Sequence, residues 1–190
     1  MITPAGLAVV VPIKSWATAK ARLAGALTPA EREQLALRCA TTVLAAARPL
    51  PVFVVCEDAS VASWAVAQGA TVVTPSASGL NIAVASGRQA AHLAGHARVL
   101  IVHSDLPHAH DLASLDDHSA AVIVVPDRHN DGTNALLIPS DGAFEFRYGR
   151  GSFGAHCAEA QHHGLSLRVV HRPDLALDLD TLDDLRAAGL

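Results

Sequence analysis

The chain has 190 residues, which suits one domain around one large core and is short for two. Hydrophobic residues make up 51% and charged residues 17%, so a disordered chain is excluded. The net charge of -4 comes without any run of Lys or Arg, which leaves a nucleic-acid-binding surface without support and favours small ligands.

The first apolar run, LAVVVPI at residues 7–13, reads as a strand. It is cut short by Pro12 and Lys14, has no basic segment before it and is too short to span a bilayer, so neither a signal peptide nor a membrane contact is expected. Cys39, Cys56 and Cys157 are odd in number and lack a Cys-x-x-Cys pair, which fits a reducing cytoplasm without disulfides or structural zinc. After this strand PIKSWATAKARL places Lys14, Lys20 and Arg22 close together in a chain with only 14 Lys plus Arg. They suit a polyphosphate contact or a solvated basic loop, and no Walker A sequence accompanies them.

TPAE at 28–31 is a helix start: Thr28 caps, Pro29 takes the first helical position and Glu31 completes a capping box. Leu35, Cys39, Thr42, Val43 and Ala46 share one stripe, and Pro49 ends the helix. Strands are then expected at 52–55, 71–73, 99–102, 121–125, 135–138 and 167–170, and helices at 60–68, 80–93, 153–163 and 181–188. This alternation predicts an α/β fold, a three-layer αβα sandwich with a mostly parallel sheet whose ligand sites lie at the carboxyl ends of the strands. Residues 127–148 interrupt the pattern with DRHNDGTN, an apolar run, the turn PSDG and FEFRY, and read as a hairpin-like insertion walling a cleft within a single domain over 1–190.

RVLIVHSDLPH at 98–108 ends a buried strand on Asp105. LALDLDTLDDL puts Asp178 and Asp180 two apart in an extended segment, so both face one side, roughly 6–7 Å apart at about 3.3 Å per residue. Taken separately, these are cap and turn residues, since TLDD repeats the capping-box pattern. At converging strand ends the three together suit magnesium, which uses a few carboxylates plus substrate phosphates.

Gly149, Gly151 and Gly154 in YGRGSFGAHC spell G-x-G-x-x-G, with Asp174 20 residues beyond the last. A dinucleotide fold needs two βαβ halves, and only 36 residues follow Gly154, so the glycines and Ser152 suit a phosphate at a helix N-terminus, or a plain turn, and not NAD. DGTNALL sets Thr133 and Asn134 at a loop-to-strand junction, which an Asp-Gly turn also explains. The 11 histidines give no metal spacing: His92 and His96 lie i, i+4 on a helix without the glutamate of a zinc-protease site. No Gly-x-Ser-x-Gly elbow occurs.

In this order, PIKSWATAKARL, SGLN at 78–81, SDLP, DGTNALL, YGRGSFGAH and LDLDTLDDL resemble the guanylyltransferases of coenzyme F-420 biosynthesis, which activate 2-phospho-L-lactate or phosphoenolpyruvate with GTP. The resemblance runs from about residue 9 to 185. It implies a nucleotide-diphospho-sugar-transferase-like, Rossmann-like fold, GTP as co-substrate and two Mg²⁺ ions on Asp105, Asp178 and Asp180. It further implies acceptor phosphate against Thr133, Gly149 and Ser152, and Lys14, Lys20, Arg22 and Asn81 facing GTP. Asp131 departs from the family, whose members usually carry another glycine there; its carboxylate would repel a phosphate unless turned away or metal-bound.

The chemistry fits the missing nucleophile. An acceptor phosphate oxygen is already anionic, so in-line attack on the α-phosphorus of GTP needs alignment and charge neutralisation, with Lys20 assisting, and no general base. Two other readings stand beside it. A molybdenum-cofactor or sugar-phosphate nucleotidyltransferase shares the fold but usually opens with a glycine-rich loop, absent from PIKSWATAKARL; a non-catalytic phosphometabolite-binding protein would have no need of all three aspartates. The acceptor, among phosphoenolpyruvate, 2-phospho-L-lactate and 3-phosphoglycerate, and the oligomeric state, a homodimer included, are left open by the residues alone.

Overall fold

The computed structural model describes residues 5–189. Seven strands form one sheet in the order β3-β2-β1-β4-β6-β5-β7. These are β1 (Ala5–Pro12), β2 (Val52–Val55), β3 (Thr71–Val73), β4 (His96–Val102), β5 (Val122–Pro126), β6 (Thr133–Pro139) and β7 (Leu167–Val169). All neighbours run parallel except β6, which is antiparallel to both β4 and β5.

Helices cover both faces because the central strands are apolar on both sides. Leu7, Val9 and Val11 of β1 pack in one core with Ala36, Ala40 and Val43 of α1 (Pro29–Ala46) and Val61 of α2 (Ala59–Ala67). Ala8 and Val10 face the other core, with Val84 and Ala91 of α3 (Leu80–Leu93) and Ala160 of α4 (Ser152–His162). Val9, Val10 and Val11 are fully buried, and each such side chain stabilises the fold by about 1.5–3 kcal/mol. The three layers are those the alternation predicts.

α1 begins as the sequence dictates: the Thr28 hydroxyl accepts from Glu31 N–H and the Glu31 carboxylate accepts from Thr28 N–H, closing a capping box with Pro29 at the first position. α2 begins one residue earlier than expected because Asp58 is the cap. β4 begins at His96, so His92 on α3 and His96 do not share a helix. The 127–148 stretch holds β6, which pairs with β5 as an antiparallel hairpin and inserts beside β4 in the sheet itself. FEFRY forms no strand: Phe144 and Phe146 are buried in the second core, and their alternation with polar residues imitates a strand pattern. A short α5 (Pro173–Ala176) and a 3-10 turn at Ala21–Leu23 were not signalled, and α6 (Leu182–Ala187) closes the described chain.

This topology fixes where a ligand can bind. From β1 the strand order runs outward through β2 to β3 on one side and starts again at β4 on the other. Loops leaving the carboxyl ends of β1 and β4 therefore diverge and leave a crevice between them, the switch point of an open α/β sheet.

Candidate active site

The loop after β1 and the loop after β4 face each other across that crevice. Lys20 lies in the first and Asp105 in the second, and Lys20 Nζ donates to Asp105 Oδ2 at 2.7 Å. Asp180 Oδ1 is 3.5 Å from the same ammonium, and Arg22 Nη1 is 3.4 Å from Asp180 Oδ2. Asp105, Asp178 and Asp180 each present an oxygen within 4.8 Å of the other two. The structure thus gathers four sequence-predicted residues, Lys20 and the three aspartates, into one cluster, with Arg22 at its exposed edge.

The local sequence explains the gathering. Burial alternates along 177–180, with Leu177 and Leu179 inside and Asp178 and Asp180 towards the crevice, as a two-residue period demands. Leu179 is fully buried in a small third core with Leu23, Leu35 and Cys39. Leu23 follows Lys20 and Arg22 in the 3-10 turn, so one apolar cluster holds the cationic loop against the acidic segment. Leu179 N–H also donates to Asp105 O at 3.2 Å, tying the acidic segment to the end of β4. Thr181 and Asp184 make the capping box of α6 between themselves, which leaves the Asp180 carboxylate free of the capping role.

Lys20 itself adopts a left-handed backbone, φ 56°, an uncommon conformation for a non-glycine residue that the surrounding packing must hold. Burial opposes its charge, but the carboxylates of Asp105 and Asp180 outweigh that and keep its ammonium above the ordinary lysine range. Burial alone would raise Asp105; the Lys20 ammonium overrides it and holds the carboxyl below the usual range. Asp178 goes the other way, pushed up by burial and by the charges of Asp105 and Asp180. Asp105 Oδ1 is buried without a hydrogen-bond partner. An all-oxygen donor set, mutually repelling carboxylates and an orphaned buried oxygen fit a hard divalent cation such as Mg²⁺.

A cavity of about 230 Å³ lies against this cluster, lined by Lys14, Ser15, Trp16, Lys20, Asp105 and Asp180 among others. Lys14 thus shares a wall with the cluster. Asn81 does not: its Oδ1 accepts from Tyr148 N–H at 2.7 Å, and it lines a separate groove beside Arg88 and Phe146.

The second set, Thr133, Gly149 and Ser152, collects around the N-terminus of α4. Gly151 caps that helix in a left-handed conformation, Ser152 N–H donates to Gly149 O and Phe153 N–H to Asp131 O, so the glycine loop and the 127–132 turn are tied together. Asp127 organises the turn by accepting from the N–H groups of His129, Asp131 and Gly132. A Cβ on Gly132 would come 2.8 Å from Asp127 Oδ2, so a larger residue there would have to displace the carboxylate that organises the turn. The Asp131 side chain is exposed, while its carbonyl makes the contact to α4. Asp174 is engaged by Arg172 at 2.8 Å, through both Nε and Nη2, and has no part in a dinucleotide fingerprint.

Two more residues join the sets: Asn134, which the sequence set beside Thr133 at a loop-to-strand junction facing the cleft and whose amide turns instead to the chain before Asp178, and His156, which it left without a role. Asn134 donates to the carbonyls of Leu175 and Ala176 at 2.9 and 3.2 Å, so from the residue next to Thr133 it holds the backbone that leads into the acidic segment. His156 is fully buried, and its Nε2 accepts from Arg147 N–H at 3.1 Å. The neutral ring therefore carries its proton on Nδ1 and donates it to Thr133 Oγ1 at 3.0 Å, which turns the hydroxyl proton of Thr133 outward as a donor. The only sequence signal for His156 was its place in the YGRGSFGAH segment.

Comparison with known proteins shows the family and the fold. Residues 7–188 match the family described as guanylyl transferase CofC like. A phosphoenolpyruvate guanylyltransferase of Chloroflexus aggregans is 35% identical over 192 residues, covering 95% of each chain. A 2-phospho-L-lactate guanylyltransferase of Methanothermobacter thermautotrophicus is 34% identical, over 93% of this chain and 81% of that one. Among solved structures, one described as a nucleotide-diphospho-sugar transferase from Desulfovibrio desulfuricans superposes with a TM-score of 0.77 at 16% identity, over 96% of this chain and 85% of that chain, and shows the shared fold. With a family match over nearly its whole length and relatives above 30% identity, the chain belongs to the CofC-like guanylyl transferases.

Proposed function

We propose that the chain transfers the guanylyl group of GTP to the phosphate of phosphoenolpyruvate, releasing pyrophosphate, in the biosynthesis of coenzyme F-420. The observation that carries this reading is the meeting of Asp105, Asp178 and Asp180 with Lys20 at the switch point of the sheet. Asp105, Asp178 and Asp180 would hold Mg²⁺, two ions in the fullest version, and a bound cation would neutralise the crowded phosphates and stabilise the departing pyrophosphate.

The chain's own groups supply the alignment. Lys14, Lys20 and Arg22 present positive charge along one side of the crevice, and Lys20 stays protonated because its carboxylate neighbours stabilise the ammonium. Thr133, with its proton directed outward by His156, and Ser152 with Gly149 at the α4 N-terminus receive the acceptor phosphate. Two unit charges about 4 Å apart interact by roughly 4 kcal/mol at an effective dielectric near 20, so bringing two anions together is the main obstacle and cations are the main remedy. An acceptor oxygen already ionised needs no base, consistent with a site made only of carboxylates, cations and hydroxyls.

2-Phospho-L-lactate is the second acceptor reading, favoured by the nearly equal identity to a relative named for it. The chain has no helix long and apolar enough to cross a membrane among its described residues, and a cytoplasmic enzyme is the reading that its free cysteines support. Purified protein with GTP and Mg²⁺ is expected to release pyrophosphate with phosphoenolpyruvate or 2-phospho-L-lactate, and mass spectrometry should find the matching guanylylated acid. Asp105→Asn is expected to lower turnover by at least about 10²–10³ while the far-UV circular dichroism stays native. Pyrophosphate release from neither acceptor, or wild-type turnover in Asp105→Asn, refutes the proposal.

A further inference from the structure

A second cavity, of about 400 Å³, opens at the carboxyl ends of β1 and β2 and beside the start of α3. Its walls are apolar, formed by Pro12, Ile13, Val55, Cys56, Leu80 and Ala83. It shares Ile13 and Lys14 with the cavity at the carboxylate cluster, so the two spaces adjoin across the Lys14 side chain. Apolar walls next to a pocket lined by Lys14, Lys20 and carboxylates match the two halves of a nucleotide, a base on one side and metal-bound phosphates on the other.

The polar side chains in this apolar space are few. Glu57, at the end of β2, is oriented by Ser78 of the SGLN loop, whose hydroxyl lies 3.0 and 3.2 Å from the two carboxylate oxygens. Among the described residues Glu57 makes no ion pair, so this carboxylate has its remaining acceptor sites open. Asp58 beside it is occupied: it caps α2 and accepts from Ser15 Oγ at 2.7 Å, fixing the β1 loop against α2. Gly79, with φ at 129°, lets the loop turn sharply into α3 next to the carboxylate.

An ionised carboxylate only accepts, and it pairs best with two donors side by side. Among the nucleobases guanine alone offers that pair, N1–H beside the exocyclic N2 amine. Adenine and cytosine put a ring acceptor beside their amine, and uracil flanks its single N–H with carbonyls. We propose that Glu57 selects the guanine base, accepting from N1–H and the N2 amine in the apolar cavity at the ends of β1 and β2, with Lys14 where the base joins the phosphates. This assignment rests on the proposed use of GTP and adds the residue that would choose it over other nucleotides.

The test uses the exchange of donor and acceptor between guanine and xanthine, which carries a carbonyl where guanine has the N2 amine. Glu57→Gln replaces one carboxylate oxygen with a donor and so complements xanthine. Binding of GTP, XTP and ATP to the intact protein in Mg²⁺ is measured calorimetrically, and pyrophosphate release is measured separately. Wild type is expected to prefer GTP; Glu57→Gln is expected to lose about 10- to 100-fold in GTP affinity and to gain XTP binding until the order reverses. A gain cannot arise from misfolding. An unchanged GTP-to-XTP ratio in Glu57→Gln, loss of both nucleotides without any gain for XTP, or a wild type that does not discriminate GTP from XTP overturns the assignment. A wild type that binds GTP selectively and switches with Glu57→Gln but transfers nothing refutes the transferase reaction and leaves the base assignment standing.

Discussion

His156 shows how a single buried side chain links folding to the proton position on Thr133, the hydroxyl proposed to receive the acceptor phosphate. Burial, with a smaller push from His103 and against the pull of Glu159, holds its imidazole down from 6.5 to about 4. The unfolded chain therefore takes up a proton near pH 6.5 that the folded chain refuses until about pH 4. The stability this group contributes is complete above pH 6.5 and declines as pH falls towards 4, by about 3 kcal/mol in all. His156→Asn retains an amide donor for Thr133 and removes the titration. Urea unfolding of wild type at pH 7 and pH 4 should show a loss about 3 kcal/mol larger than in His156→Asn. Equal losses would mean that the ring is protonated normally and does not set the Thr133 proton.

At the scale of elements, the site depends on segments that are not regular structure. The extended stretch 177–180 is anchored by Leu179 in the third core and by its N–H on Asp105 O, and Asn134 holds the carbonyls of Leu175 and Ala176 just before it. Leu179→Ala would leave a cavity between the Lys20 loop and the acidic segment. The expected cost is about 2–5 kcal/mol of stability, with turnover at 25 °C falling by more than the folded fraction explains. Turnover that merely follows the folded fraction would show that Leu179 does not position the aspartates. Much of this was readable beforehand: continuous apolar strands gave the layers, the Asp-x-Asp period gave the shared face, and the Thr-x-x-acid patterns gave two helix starts. What was not readable depends on neighbours distant in sequence. The direction of β6 is set by a hairpin with β5, the engagement of Asn81 by Tyr148, and Gly87 is required because a Cβ there would come 2.4 Å from Val10. No local pattern encodes those meetings. FEFRY misled for the same reason, since buried phenylalanines alternate in a loop as well as in a strand.

At the scale of the whole molecule, the carboxylate cluster is a place where the fold holds charges that oppose it. Asp178 is pushed up because its anion is unwelcome between Asp105 and Asp180, so the metal-free protein bears a cost that a cation would relieve. The segments involved, 14–22, 105 and 178–180, come from both ends of the chain and its middle, so a ligand that binds them stabilises the whole fold and not one loop. Mg²⁺ at about 100 times its dissociation constant should add about 2.7 kcal/mol, which for a domain of this size raises the melting temperature by about 5–11 °C. Far-UV circular dichroism and the fluorescence of Trp16, which lines the cavity, and Trp64 should shift together as one transition. Asp178→Asn removes one repelling charge, so without metal it should melt no lower than wild type, and its shift with Mg²⁺ should vanish. A variant that melts well below wild type and still responds fully to Mg²⁺ would show that Asp178 supports the fold and does not hold the ion.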